Sequence, residues 1–465
     1  MQTKRSPIVT ILGHVDHGKT SILDTLRKSR VQLGEAGGIT QSIGASSLKT
    51  KSASITFIDT PGHAAFREMR SRGARIADIA LLVVAADDGV KPQTKEALDY
   101  IQKSGSKLIV VFNKIDLPSA NVQKAMGELE ELGVLFEGRG GDIPYVETSV
   151  KEGRGFKDLL EIIELVADVE GFEGDSEGEL KATVIETNKD KRGLTVSAVI
   201  QNGSLKIGDQ IAVGSMKTKI RGLFDEQNKP IREAGPSDPV LILGFSELPQ
   251  IGQTIVSVDK ADPIQEGSQI KKISKEVLEN ELGLVIKAAS AGCLEAILAG
   301  LPEKTVVLNS GVGAVTESDI FFAKTSGAII LTFELKLTSS ARKLSETEEV
   351  PVFEFDIIYD LFQKVEELIQ KKQTEVKAEA KVLAMFPFNK LTVAGCKVKS
   401  GEIRKGDRII AKRDEKEIGQ GRIISLKRGK EDLEIAKAGE ECGIIFKPQF
   451  DFIVGDVILS VNLPE

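Results

Sequence analysis

The sequence predicts a multidomain protein that combines α/β and all-β domains, and three observations lead to this fold class. The chain has 465 residues, too many for one hydrophobic core, which indicates about three to four domains. Apolar runs alternate with helical patterns over residues 1–170, as in the βαβ units of a mostly parallel sheet. Residues 171–262 and 376–465 instead read as short β-strands separated by turn residues, which favour small antiparallel barrels.

The composition excludes several classes of function. No apolar run reaches the ~18 residues that cross a membrane, and the first residues contain no signal-type apolar core. We therefore expect a cytoplasmic protein without a membrane partner. The three cysteines are far apart in sequence, which argues against a disulfide framework or a thiolate metal site. All three histidines precede residue 64, so histidine catalysis elsewhere is excluded.

Charge is unevenly distributed along the chain. The formal net charge is −7, from 62 basic and 69 acidic residues. Residues 376–465 contain 17 Lys/Arg and 14 Asp/Glu, so this part is basic while the remainder is acidic. The excess of cations suggests an anionic partner for the C-terminal part, although a solvated charged surface explains the charge alone equally well.

The first motif with chemical content follows the predicted strand 8–12 and has the spacing G-x-x-x-x-G-K-[ST]. It consists of Gly13, His14, Val15, Asp16, His17, Gly18, Lys19 and Thr20. Such a loop wraps a phosphate chain with backbone N–H groups at a helix N-terminus. We expect Lys19 to reach the β- and γ-phosphates and the Thr20 hydroxyl to bind Mg²⁺.

Two further motifs are suited to the γ-phosphate end of a nucleotide. After a second predicted strand, Asp59 can hold Mg²⁺ through water, and Gly62 lets a backbone N–H approach the γ-phosphate. His63 then stands where it can orient the attacking water. Thr40, at the end of the glycine-containing segment 37–40, is predicted to add a second hydroxyl to Mg²⁺ in a segment that orders with the γ-phosphate.

The remaining two motifs point to guanine. The segment Asn113, Lys114, Ile115 and Asp116 follows another predicted strand. The Asp116 carboxylate can accept two N–H bonds from guanine, a pair that adenine does not offer. The segment Ser149, Val150 and Lys151 follows the strand 144–147, where a Ser149 backbone N–H is expected to reach guanine O6. Five motifs in this order predict a P-loop GTPase domain, residues 1–170, that binds GTP with Mg²⁺ and hydrolyses it.

The rest of the chain is divided by its patterning. We predict a β-barrel domain at 171–262, an α/β/α domain at 275–356 after a linker, a connecting helix at 357–375 and a C-terminal β-barrel at 376–465. The helix is either a rigid spacer or a core helix of the preceding domain. The turn at 401–407 repeats the pattern at 203–209, which indicates two barrels of one type. The glycines at 309–315 are interpreted as a tight structural turn rather than a second nucleotide site.

These motifs resemble those of the bacterial translation initiation factor 2 family. The segments 13–20 and 59–63 are shared by translational GTPases, while 37–41, 285–288, 310–319, 357–360 and 394–396 are similar to this family in particular. The resemblance implies a GTPase that works with the small and large ribosomal subunits, formylmethionyl initiator tRNA and other initiation factors. The resemblance also implies a monomer. We expect the chain to lack the long N-terminal region that is usual in this family.

The resemblance also implies roles for individual residues. His63 is similar to the family's water-positioning histidine, and Val15 and Ile39 look like its apolar gate, so we expect a low basal rate of hydrolysis. Positions that match the family's formylmethionyl site are Cys396, Lys427, Arg428, Lys430, Glu441, Cys442 and Gly443. Gly429 stands where the family usually has an aromatic residue, which implies weaker initiator binding. Val150 replaces a usual small residue beside the guanine.

Two alternatives remain open at this point. An archaeal/eukaryotic-type subunit-joining GTPase shares the motifs but does not read a formyl group. A GTP-regulated binding module without turnover shares the nucleotide loop, although the presence of Thr40 and His63 argues against it.

Overall fold

The structure, a computed structural model, describes residues 3–27, 40–41, 43–50, 54–260, 281–373, 375–388, 391–413, 416–429 and 431–462. Contacts divide the chain into two compact units, the first built mainly from residues up to 362 and the second mainly from residues 363–465. Within the described ranges, no helix has the length and apolar character needed to cross a membrane. Gly37, Gly38, Ile39, Lys430 and the predicted linker at 262–274 lie outside the described residues.

The first unit begins with a six-stranded sheet that is covered by helices. The elements of this part are β1 (Thr3–Lys4), β2 (Ile8–Gly13), α1 (Lys19–Arg27), β3 (Gly44–Lys49), β4 (Ser54–Asp59), α2 (Arg67–Ile76), β5 (Ile79–Ala85), α3 (Pro92–Ser104), β6 (Lys107–Asn113), α4 (Val122–Glu130), β7 (Tyr145–Glu147), α5 (Phe156–Glu170) and β8 (Glu173–Gly174). The strand order is β3-β4-β2-β5-β6-β7.

All neighbouring strands of this sheet are parallel except the edge pair β3 and β4. Every residue of β2 and β5 is buried, because two hydrophobic clusters pack on the sheet. The carboxyl ends of parallel strands meet at one edge, where ligands of such sheets bind. The predicted motifs follow β2, β4, β6 and β7, and the fold therefore gathers them at that edge.

The next part of the first unit is antiparallel. Its strands are β9 (Lys181–Asp190), β10 (Gly193–Asn202), β11 (Leu205–Lys206), β12 (Gln210–Val213), β13 (Met216–Lys219), β14 (Gly222–Phe224), β15 (Pro230–Ile231), β16 (Glu233–Ala234), β17 (Pro239–Leu243) and β18 (Thr254–Ser257). Eight of them form one sheet in the order β13-β12-β18-β9-β10-β17-β14-β15, and alternate residues enclose a single apolar core.

The third part is an α/β layer. Its elements are β19 (Leu282–Ala288), α6 (Ala291–Gly300), β20 (Thr305–Val312), α7 (Glu317–Ser326), β21 (Ile329–Phe333), α8 (Ser339–Thr347) and β22 (Val352–Phe355), with the strand order β20-β19-β21-β22. The turn predicted at 309–315 starts later than expected, because β20 continues to Val312 and the backbone turns at Gly313, where φ is +100°.

The connecting helix α9 (Ile358–Gln373) has 16 residues and is therefore about 24 Å long. The predicted range 357–375 was too long at its C-terminal end, because Glu375 already pairs with Asn462 in a β-ladder. Ile358, Leu361 and Val365 are completely buried. The first turn of α9 thus belongs to the first unit, and the helix from Gln363 onwards belongs to the second unit.

The second unit is a closed barrel. Its strands are β23 (Glu375–Phe388), β24 (Leu391–Arg404), β25 (Arg408–Arg413), β26 (Lys416–Arg428), β27 (Glu431–Asp432), β28 (Ile435–Lys437), β29 (Glu441–Lys447) and β30 (Val457–Asn462). The order β23-β30-β25-β26-β29-β24 returns to β23 through a further pairing of β23 with β24, which closes six strands around one core.

The internal repeat is visible in the geometry of its two turns. Gly203 and Gly401 both have positive φ, +75° and +73°, and at each a Cβ atom would collide with backbone. Asp209 accepts a hydrogen bond from the Lys206 N–H at 2.8 Å, and the same bond joins Asp407 to the residue three before it, at 2.8 Å. The same turn chemistry therefore serves both β domains.

Candidate functional site

A cavity of about 540 Å³ opens at the carboxyl edge of the first sheet. Its lining residues are Val15, Asp16, Gly18, Lys19, Thr20, Ser21, Thr40, Gly62, His63, Asn113, Lys114, Asp116, Leu117, Val150 and Lys151. Thirteen of these fifteen were expected from the sequence; Ser21 and Leu117 were not. The other predicted residues do not line the cavity: Gly13, His17, Asp59 and Ser149 are buried, and His14 is half-buried.

Two glycines of the phosphate loop are required by close approaches. Gly13 has a φ of +145°, and a Cβ there would lie 2.4 Å from the Val83 carbonyl oxygen. Gly18 has a φ of +89°, and a Cβ there would lie 2.4 Å from the Asn113 side-chain nitrogen. The loop can therefore lie against the neighbouring strands only because these positions have no side chain.

Lys19 supplies a positive charge at the end of the cavity that is formed by the phosphate loop. It is the first residue of α1 and is 6% exposed, and its ammonium donates to the His14 carbonyl oxygen at 2.6 Å. Burial lowers the pKa of Lys19 to about 8, while the neighbouring Asp59 opposes this shift. A buried ammonium beside a helix N-terminus strongly favours an anion in the cavity.

His17 has a structural role in this loop. Its Nδ1 lies 3.2 Å from the Ala85 nitrogen and 3.3 Å from the Val83 carbonyl oxygen, and its Nε2 lies 3.4 Å from the Asp88 carboxylate. The side chain is 1% exposed, and burial lowers the pKa of His17 to about 4. The imidazole is neutral at pH 7 and ties the phosphate loop to the end of β5.

This pKa predicts a pH-dependent stability. An unfolded His17 takes up a proton below about pH 6.5, whereas the folded one does so only near pH 4. Its contribution is present above pH 6.5 and is lost as the pH falls towards 4, by up to about 3 kcal/mol. His17→Gln should therefore flatten the dependence of the urea-unfolding midpoint on pH between 7 and 4.5. An unchanged pH dependence would show that His17 is not held neutral.

The residues predicted to hold Mg²⁺ fit a hard cation that prefers oxygen ligands. The hydroxyl oxygens of Thr20 and Thr40 lie 2.6 Å apart, although the two residues come from different motifs. The Asp59 carboxylate is close enough to Lys19 to influence the pKa of the ammonium. Two hydroxyls therefore meet at the phosphate loop, and a carboxylate lies near the lysine of that loop.

His63 follows β4 and is 7% exposed. Its Nδ1 accepts a hydrogen bond from the Ala65 N–H at 3.0 Å, so the neutral ring carries its proton on Nε2. Burial, and secondarily the charge of Arg70, lowers the pKa of His63 to about 4. The ring centroid of Tyr359 lies 4.0 Å from that of His63, with the planes at 90°. In this arrangement Nε2 can orient water by donating a hydrogen bond.

Arg70 supports His63 and was not identified from the sequence. Its guanidinium is completely buried and donates to the Pro61 carbonyl at 3.3 Å and to the His63 carbonyl. It also pairs with Glu96 at 3.1 Å. An arginine on a polar helix usually faces solvent, and only the tertiary structure shows that this one fixes the loop before α2.

At the guanine end, the carboxamide of Asn113 connects two segments of the site through hydrogen bonds. Its Nδ2 donates to the His17 carbonyl at 2.9 Å, and its Oδ1 accepts from the Thr148 hydroxyl at 3.2 Å. The residue is 2% exposed, and the phosphate loop and the β7 end are thereby joined.

One expectation for the guanine end was wrong. The Ser149 N–H does not point to the base, because it donates to the Arg154 carbonyl at 3.1 Å. The Ser149 hydroxyl instead donates to Asp116 at 2.7 Å and lowers the pKa of that carboxyl. Val150 and Lys151 line the cavity in its place. Ser149 therefore orients Asp116.

A second cavity, of about 640 Å³, lies within the terminal barrel. It is lined by Leu383, Ala384, Phe386, Pro387, Val393, Gly395, Cys396, Lys427, Arg428, Gly429, Glu441, Cys442, Gly443 and Ile445. All six described members of the predicted tRNA set are among them. The strand pairing of β24 with β29 explains this, since Cys396 lies directly opposite Cys442.

The wall of this second cavity is more apolar than the sequence suggested. Leu383, Phe386, Val393 and Ile445 contribute aliphatic and aromatic surface, and Phe386 is 56% exposed. An aromatic ring is thus present although position 429 has none. The alternation of inward-facing and outward-facing residues along β23 could have predicted that Phe386 faces outward. An exposed phenylalanine on a barrel strand is unusual and indicates a binding surface.

The two thiols of this cavity are neutral. Burial raises the pKa of Cys396 far above its usual value and that of Cys442 to about 11. The cations beside them are held by carboxylates, since Lys427 pairs with Asp432 at 3.2 Å and Arg428 pairs with Glu440. A neutral, polarizable floor therefore lies next to a rim of paired charges.

Comparison with known families follows the same division. Residues 4–168 match the Elongation factor Tu GTP binding domain, 179–258 match Elongation factor G domain 2, 259–366 match Translation-initiation factor 2, and 391–459 match Elongation factor Tu domain 2. The fold class predicted from the sequence is confirmed.

Individual relatives match almost the whole of this chain. The crystal structure of GDP-bound aIF5B from Aeropyrum pernix is 26% identical, covering 99% of this chain and 92% of its own, with a TM-score of 0.47. Translation initiation factor IF-2 of Caldanaerobacter subterraneus is 40% identical over 99% of this chain and 70% of its own length. The IF-2 of Thermus thermophilus is 39% identical over 99% of this chain and 87% of its own. From the two IF-2 relatives and the matching families, this chain belongs to the IF-2 family of translational GTPases.

Proposed function

We propose that this GTPase binds GTP with Mg²⁺ in the cavity of the first sheet and formylmethionyl initiator tRNA in the cavity of the terminal barrel. It would act with the small ribosomal subunit and other initiation factors and promote joining of the large subunit before hydrolysis. The observation that carries the tRNA part is the convergence of six predicted residues, from three separated stretches of sequence, on one cavity.

At the nucleotide site, each part of GTP has a complementary group. The phosphates would lie between the phosphate loop and Lys19, and the base would meet Asp116. Thr20, Thr40 and Asp59 would hold Mg²⁺, which neutralises charge on the β- and γ-phosphates when it is bound. Gly62 leaves room at the γ-phosphate, since a Cβ there would lie 2.3 Å from the Lys19 ammonium.

Hydrolysis at this site would depend on the position and protonation of the His63 ring relative to the attacking water. The neutral ring donates from Nε2, and its backbone is fixed by Arg70, so the side chain can orient a water molecule without carrying charge. Val15 lines the same cavity, as expected of one side of the apolar gate. This gate would hold the ring away from the water until the ribosome engages, which would keep the basal rate low.

The terminal cavity suits a formylated methionine. The thioether would contact the two thiols and Phe386, because sulfur packs favourably on sulfur and aromatic surface. Formylation turns the α-ammonium into a neutral amide, which can enter an apolar cavity without the desolvation cost of a charge. Lys427 and Arg428 would exchange their carboxylate partners for the phosphates of the acceptor end.

Phe386→Ala tests this assignment. We expect the affinity for formylmethionyl initiator tRNA to fall about 10-fold, because the aromatic wall of the cavity is removed. Filter binding with formylated and unformylated initiator tRNA measures the effect. Ile453→Ala, an exposed apolar residue outside the cavity, is the matched control and should bind like the wild type. Equal wild-type affinity for the two tRNAs would contradict the proposal and favour a factor that does not read the formyl group.

A further inference from the structure

We propose that Gln41 is a positioning residue for the GTP site, because it anchors the metal-side Thr40 to the first turn of α9. The inference rests on the proposed role of Thr40. It assigns to the α/β layer of residues 282–362, which carries no nucleotide motif, a part in holding the triphosphate.

The side chain of Gln41 is bound at both ends. It is 3% exposed, its Oε1 accepts a hydrogen bond from the Ile358 N–H at 3.1 Å, and its Nε2 donates to the Asp356 carbonyl at 2.7 Å. Nε2 also lies 3.5 Å from a Glu334 carboxylate oxygen. The carboxamide thus spans the point at which the chain enters α9.

The Gln41 side chain caps the N-terminus of α9, although Gln41 is far from this helix in sequence. The first N–H groups of a helix have no partner within it, and a side chain just before the helix usually satisfies one of them. Here the residue before α9 is Ile357, which has no polar side-chain atom. Gln41, 317 positions earlier in the sequence, supplies the acceptor instead.

The backbone of Gln41 is held as well. The Cys293 thiol, completely buried at the start of α6, donates to the Gln41 carbonyl at 3.5 Å. Main chain and side chain are therefore fixed by different elements of the same α/β layer. Since residue 40 is covalently adjacent, this attachment limits where the Thr40 hydroxyl can lie.

Thr40 is thereby held from two sides. Its hydroxyl meets that of Thr20 at 2.6 Å, and the next residue is anchored to α9. The first turn of α9 also touches the other γ-phosphate motif, because Tyr359 packs against His63. One helical turn thus contacts both predicted γ-phosphate segments, and a loss of the Gln41 anchor should affect triphosphate binding more than diphosphate binding.

The test compares Gln41→Met with the wild type. Methionine keeps the volume of glutamine but removes both hydrogen bonds, so packing is preserved. We expect the affinity for a non-hydrolysable GTP analogue with Mg²⁺ to fall about 10-fold, equivalent to about 1.4 kcal/mol. The affinity for GDP should stay within about twofold. The exposed Gln102→Met is the matched control.

A second readout needs no nucleotide. Amide hydrogen exchange at Ile358 should be at least about 10-fold faster in Gln41→Met than in the wild type and the Gln102→Met control. If Gln41→Met does not fold, Cys293→Ala removes the bond to the Gln41 carbonyl and should give a smaller, still triphosphate-selective loss.

Two results would overturn the inference: equal weakening of GTP analogue and GDP, which means a purely structural role, or unchanged affinity for both. Failure of the wild type to bind either nucleotide would instead contradict the proposed GTP site itself.

Discussion

His63→Ala should reduce the ribosome-stimulated rate of GTP cleavage at least ~100-fold while leaving GTP affinity near that of the wild type. The ring is neutral and its Nε2 is a donor, so its removal takes away a group that orients water. Nucleotide binding is carried mainly by the phosphate loop and Asp116, which do not depend on the imidazole. Single-turnover cleavage with and without ribosomes, together with equilibrium binding, separates the two quantities.

Arg67→Ala provides a control for this variant. Arg67 is the first residue of α2, shortly after His63, but its side chain is 69% exposed and directed towards Glu96. Its loss should leave the rate within a few-fold of the wild type. A loss for His63→Ala that is no larger than for Arg67→Ala would remove His63 from the water-positioning role.

Asp116→Asn should lower the preference for GTP over ATP at least ~100-fold. Guanine presents two N–H donors to this carboxylate, and an amide can accept only one of them while placing its own donor against the other. The same amide can donate to the 2-oxo group of xanthine, so affinity for xanthosine triphosphate should rise. Competition binding with the three triphosphates measures the change.

Ser149→Ala is the matched control at the guanine end. It removes the hydroxyl that donates to Asp116 at 2.7 Å but keeps the carboxylate. We expect a loss of GTP affinity of about 10-fold with the order of bases unchanged. An unaltered base preference in Asp116→Asn would contradict the guanine assignment.

The sequence was most informative where a motif directly follows a strand. Gly18, Lys19 and Asp116 could be assigned because the carboxyl ends of parallel strands must share one edge. The closed terminal barrel followed from turn chemistry, since Gly401 and Asp407 repeat the pattern of Gly203 and Asp209. These features depend on local backbone requirements, which the residue types themselves reveal.

Other features depend on contacts between distant parts of the chain. Arg70, Gln41 and Tyr359 each carry a polar or aromatic side chain that the sequence leaves as an ordinary helix or loop residue. Their roles come from partners that lie up to 317 positions away. The position of the Ser149 motif after a strand suggested that Ser149 binds the base. In the structure, the Ser149 N–H instead donates to the Arg154 carbonyl within a local turn.

We propose that one cavity holds a magnesium-bound guanosine triphosphate, and a crystal structure with a non-hydrolysable GTP analogue and Mg²⁺ tests this. We expect phosphates against Lys19, the metal at the hydroxyls of Thr20 and Thr40, and the base on Asp116. An empty cavity at saturating analogue, or a base bound away from Asp116, would contradict it.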